Sequence, residues 1–144
     1  MTNIVTLVRE WLVSSLAVSS LVDDRVSTVL DPEDGYPAIV IGSTAGGPRS
    51  DASAGVDAVE DWSVALYCYG GRINGGDGDL PDNATAWEAA QAIASAAQDI
   101  TLTHYVSVGG TIVAARVVSA APTIADPDTN SSRATVTLAL QIWN

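Results

Sequence analysis

Apolar residues fall at Ile4, Leu7, Val8, Trp11, Leu12 and Leu16, spacings of three and four that lay them along one stripe of a helix. The spacing predicts an amphipathic N-terminal helix. Asn3 stands where its side chain can accept from a first-turn amide, and Ser19, Ser20, Asp23 and Asp24 offer side-chain hydrogen bonds that help end the helix. Residues 26–30 read as a short strand. Asp31-Pro32-Glu33-Asp34-Gly35 is turn chemistry, because proline presets φ and glycine accepts positive φ, and residues 36–41 follow as a mostly buried strand.

Residues 42–55 are rich in Gly, Ser, Ala and Asp and carry too little apolar surface to offset the entropy of ordering, so a mobile loop is expected. The pattern then switches to a period of two: Trp62, Val64, Leu66 and Cys68 alternate with Ser63, Ala65, Tyr67 and Tyr69, which gives a strand two distinct faces. A second loop is expected over residues 70–83. A helix follows over residues 85–99, opened by a capping box of Thr85 with Glu88, with Trp87, Ala90, Ile93, Ala94, Ala97 and Ile100 on one face. That face is mostly alanine, so the helix can approach a sheet closely, with Trp87 and Ile93 as larger anchors. Residues 101–108 and 111–119 form a hairpin around Gly109-Gly110, since paired glycines supply the positive φ of a primed turn. After a loop holding Pro127 and Asp128, Ala134, Val136, Leu138, Leu140 and Ile142 alternate with Arg133, Thr135, Thr137, Ala139 and Gln141 as a final strand. The expected fold is a single α+β domain over residues 1–144, a largely antiparallel sheet with two helices packed on one face.

The length changes this picture little: 144 residues suit one core, able to bury roughly 70% of the surface exposed by the unfolded chain. The charge is more informative. Seventeen Asp and Glu stand against six Arg, without lysine, for a formal net charge of −11. Arg9, Arg25, Arg49, Arg72, Arg116 and Arg133 are spread singly, whereas nucleic-acid readers and anionic-membrane binders gather cations on one face. No window approaches the ~20 apolar residues of a bilayer span, and Met1-Thr2-Asn3-Ile4 opens without a basic leader. The chain is therefore expected to be made in, and stay in, a reducing cytoplasm, without a membrane partner.

Candidate chemistry is sparse. Cys68, the single cysteine, sits in an apolar alternating stretch and reads as a buried, inert thiol; His104, in a predicted strand beside Tyr105, reads as a hydrogen-bonded structural histidine. Paired carboxylates such as Asp23-Asp24 and Glu60-Asp61 read as turn or solvated surface. No general acid, nucleophile or cofactor cradle emerges, so no enzyme and no cofactor is expected. The run Gly75-Gly76-Asp77-Gly78-Asp79-Leu80-Pro81-Asp82 clusters carboxylates, and Glu88 stands eleven residues after Asp77 as in an EF-hand. Asp82 occupies the position where that loop needs glycine, and Pro81 replaces an oxygen ligand. A small Ca²⁺-dependent or carbohydrate-binding module stays as an alternative reading from a different functional class.

Leu21-Val22-Asp23-Asp24-Arg25-Val26, a proline-containing turn, and Gly35-Tyr36-Pro37-Ala38-Ile39-Val40-Ile41 resemble the small tail terminator, or tail completion, proteins of long-tailed bacteriophages. The resemblance continues through the aromatic strand, the alanine-rich helix and the final strand, and departs at Ser27, where the family commonly has an aromatic. It implies a hexameric ring, at the neck end of the virion tail, that seats on the last ring of the tail tube. Such a ring stops tube growth, presents a surface to the head-completion protein and passes DNA through its centre without specific binding. The family carries no catalytic residues to transfer. A head–tail adaptor is the nearest alternative. The two loops, residues 43–57 and 71–82, are expected to order on partners, and Asp77, Asp79 and Asp82, the densest acidic cluster, are placed on or near the channel wall or a partner contact.

Overall fold

The computed structural model describes residues 3–48, 59–75, 78–126 and 131–143. The N-terminal stripe forms α1 (Ile4–Ser14), with Ile4, Leu7, Val8, Trp11 and Leu12 buried, and the Asn3 side chain accepts from the Thr6 amide at 3.2 Å as its cap. The helix does not run on through Leu16. Ser15 takes an extended conformation (φ −74, ψ 122), its amide still bonded back to α1, and the Ser14 hydroxyl donates to the Trp11 carbonyl at 2.7 Å. The helix breaks at this extended residue, and α2 (Leu16–Val22) leaves at 88° to α1. The bend turns Leu16 out to 82% exposure, so the expected apolar stripe loses its last member, while Val18 and Val22 enter the core.

The strands are β1 (Val26–Ser27), β2 (Ala38–Pro48), β3 (Val59–Gly75), β4 (Gly78–Pro81), β5 (Tyr105–Ser107), β6 (Gly110–Asp126) and β7 (Ser131–Trp143), and one turn of 3-10 helix spans Pro32–Asp34. Six lie in the order β1-β2-β3-β7-β6-β5, and β4 pairs with the far end of β3. All described pairings are antiparallel except β1 with β2, so the α+β reading of a largely antiparallel sheet is correct, with one parallel pair at its edge. Several expected boundaries are wrong. The strand expected over residues 26–30 shrinks to β1, and the loop expected from residue 42 is strand as far as Pro48, with residues 49–58 outside the described residues. The loop expected over residues 70–83 is the β3–β4 hairpin instead, and the other hairpin turns at Val108-Gly109, one residue before the expected glycine pair. Long-range pairing partners supply these ladders, which local composition does not reveal.

A third helix, α3 (Asn83–Asp99), completes the layer, one more than the two expected. Its cap is Asp82 and not the Thr85–Glu88 box: the Asp82 carboxylate accepts from the Thr85 amide at 3.0 Å and from the Thr85 hydroxyl at 2.6 Å. Ala86, Ala89, Ala90, Ile93, Ala96, Ala97 and Ile100 are buried, a face turned slightly from the expected one, which leaves Trp87 37% exposed. Alanines bring the helix close to β3. A Cβ built on Gly70 would overlap the Asp82 carbonyl and fall 2.6 Å from the Ala86 nitrogen, so only glycine lets the helix start where it does. One hydrophobic cluster joins the helices to the inner sheet face, including Ile39, Ile41, Val64, Leu66, Cys68, Ile112 and the β7 residues Ala134, Val136, Leu138, Leu140 and Ile142.

Candidate assembly surfaces

The segment carrying the resemblance, Asp23-Asp24-Arg25, is structural in its contacts. Arg25 donates from Nε to the Pro37 carbonyl at 2.9 Å and from its terminal nitrogen to the Leu21 carbonyl at 3.2 Å, tying the end of α2 to the entry of β2. Arg9 does the same for α1, reaching the Val26 carbonyl at 2.8 Å and the Asp24 carbonyl at 3.4 Å. Asp23 holds a left-handed φ of 55 as the cap of α2, where a non-glycine residue stores strain. A cleft of about 490 Å³ opens here between Asp23, Asp24, Asp31 and Asp34, its two arginines already committed to backbone carbonyls.

The expected acidic cluster is divided. Asp77 lies outside the described residues. Asp79 stands on β4, paired in register with Asn74 of β3. Asp82 is half-buried and holds the α3 cap, so its carboxylate serves the fold.

β3 sets the geometry of the two segments expected to meet partners. Its start pairs with the end of β7, Val59 with Trp143, and its far part pairs with the beginning, Gly71 with Ser132. The connection from β2 to β3 therefore leaves one end of the sheet, while the β3–β4 and β6–β7 hairpins project from the other. At the first end, the β5–β6 hairpin exposes Val106 and Val108, close in sequence to the exposed Leu102. This apolar tip has no counterpart in the sequence reading, where Val106 and Val108 passed as ordinary strand residues.

The sheet face away from the helices carries mainly small and polar residues, among them Ala65, Thr135, Thr137, Ala139 and Gln141, all half-buried. Tyr67 and Arg133 also lie there, the guanidinium 5.1 Å from the ring centroid, with Arg133 Nε buried and without a hydrogen-bond partner among the described residues. A shallow hollow of about 640 Å³ on this face is lined by Asp61, Trp62, Ala115, Arg116 and Gln141, and the Trp62 indole donates to Glu60 Oε1 at 3.0 Å.

Burial raises the Cys68 thiol from 9.0 to about 12, in keeping with an inert core residue. His104 is exposed just before β5, so the expected strand position of this residue is incorrect. Among the described residues, no group of three or more His, Cys, Asp or Glu side chains is placed to hold a metal ion, and no single helix is long and apolar enough to cross a membrane.

No protein-family model and no curated protein matches the sequence. The fold is shared with a chain in a solved structure described as the virion of native gene transfer agent (GTA) particle: TM-score 0.60 and 18% identity, over 95% of this chain and 92% of that one.

Proposed function

We propose that this chain is a non-catalytic structural subunit of a phage-like particle, forming a ring at the neck end of the tail. In this reading the ring seats on the last ring of the tail tube, ends its growth and joins it to the head-completion protein. The observation that carries the reading is whole-chain similarity of fold, 95% of one chain on 92% of the other, to a component of a virion particle. It agrees with the resemblance to tail terminators, which also spans nearly the whole chain. The strand register adds support, because a joint must offer different surfaces to tube and head, and the β2–β3 and β3–β4 connections leave the sheet at opposite ends. The acidic surface suits a passage for DNA, since few cations are available to bind phosphates and hold the genome back. A calcium module is less well supported, because the Asp82 carboxylate already caps α3.

Deletion of the gene from its phage or particle tests the proposal. Tails of irregular and excessive length that fail to join filled heads are the expected outcome by electron microscopy. Tails of normal length that merely fail to join heads would assign the chain to the head–tail adaptor, and normal joined tails would remove it from the neck altogether.

A further inference from the structure

The two long edges of the sheet are open over the same height. On one side, β1 pairs with β2 only at Ile39 and Val40, so residues 41–48 of β2 have no outer strand among the described residues. On the other, β5 pairs with β6 only from Gly110 to Ile112, so from Val113 onward β6 has no outer strand among the described residues. The register across the sheet compares the two openings. Ile41 faces Leu66, Leu66 faces Val136 and Val136 faces Ala120; by the same steps Thr44 is level with Val117 and Pro48 with Ile112. Residues 41–48 of β2 therefore stand level with residues 112–120 of β6. The covered stretches also alternate: β1 covers β2 just beyond one limit of this window, and β5 covers β6 at the other.

Strand direction fits as well. β2 is antiparallel to β3, β3 to β7 and β7 to β6, so β2 and β6 run in opposite senses. A rotation about an axis along the strands preserves those senses. It brings β6 of one copy against β2 of the next as an antiparallel pair, with the open lengths matched and without a slide. The open part of β2 reads Ile-Gly-Ser-Thr-Ala-Gly-Gly-Pro, without a charge, and the matching part of β6 has only Arg116. Exposed edges are ordinarily guarded by charged side chains, and this pair is nearly bare of them. Beside the β6 edge a small apolar hollow of about 70 Å³, between Trp87 and Ala94 of α3 and Val117 and Ala120 of β6, stands ready to be covered. Three register shifts between β6 and β7 bend this side of the sheet.

We infer that the open edge of β6 takes the open edge of β2 from a second copy of this chain, continuing the sheet from subunit to subunit. The contact is head-to-tail, the type that closes into a ring when the rotation permits. The inference deepens the ring reading and rests on it for closure.

Paired cysteines test the junction on the full chain. Within one copy, β2 and β6 are separated by β3 and β7, roughly 14 Å at the usual strand spacing, too far for a disulfide. T44C/V117C and A45C/R116C cover the two sheet faces. On oxidation at the highest soluble concentration, one or both should give a ladder of covalent oligomers on non-reducing gels, while each single variant gives none. Val118→Lys, at an exposed edge position, should abolish self-association measured by light scattering while leaving the circular dichroism spectrum and melting unchanged. Oligomers that form without cross-links in either pair overturn the junction but leave the ring, and a folded wild-type chain that stays monomeric also overturns it. The tail-length phenotype of the deletion answers separately for the function.

Discussion

At the scale of single residues, Asp82 shows how a side chain chosen for its charge acquires a different job once its neighbours are known. Its carboxylate receives both the amide and the hydroxyl of Thr85, so it stabilises the start of α3. Asp82→Ala should therefore lower the unfolding free energy by about 1 kcal/mol, read from the urea midpoint at unchanged slope, whereas Asp82→Asn keeps a capping oxygen and should cost much less. Equal losses for the two variants would mean that charge, and not capping, carries the effect. A charge test of the proposed channel wall belongs at Asp79 instead, on β4. Cys68 and Asn3 were legible because each role depends on a local pattern, strand alternation for one and a helix start for the other. Arg25 was not: its acceptors, the carbonyls of Leu21 and Pro37, form a site only after α2 and β2 come together.

At the scale of elements, what could be read was periodicity and what could not was pairing. β7 alternates cleanly, and Val136, Leu138 and Leu140 are buried as that alternation requires. Leu138→Asp should accordingly abolish cooperative folding or cost roughly 4 kcal/mol, since it places an unpaired charge in the core beside Val64 and Val117, while Thr137→Asp on the half-buried opposite face should be much milder. A soluble, cooperatively melting Leu138→Asp protein of near-normal stability would contradict the packing described. β2 beyond Ile41 was illegible because Gly, Ser and Ala are weak strand formers. The extension exists because β3 offers it a ladder from Thr44 with Val64 to Pro48 with Glu60. The break at Ser15 escaped for a related reason, since the apolar spacing runs through it and a single residue with extended backbone separates the two helices.

At the scale of the whole molecule, charge and edge geometry together decide how self-association should respond to salt. Each copy carries a formal −11, so six copies would gather 6 × (−11) = −66 in the ring that the resemblance implies, and that repulsion opposes assembly. The proposed junction offers little ionic attraction in return, because residues 41–48 carry no charge and the facing stretch of β6 only Arg116. Its hydrogen bonds run between backbone groups and respond weakly to ionic strength. Repulsion is therefore the term that salt changes most: the screening length falls from about 30 Å at 0.01 M to about 8 Å at 0.15 M. Raising salt across that range should tighten self-association, with the sedimentation-velocity midpoint moving to lower protein concentration. An interface built on ion pairs would respond in the opposite sense, and weakening with salt would point to cross-subunit contacts between the six arginines and the carboxylates in place of an uncharged strand edge.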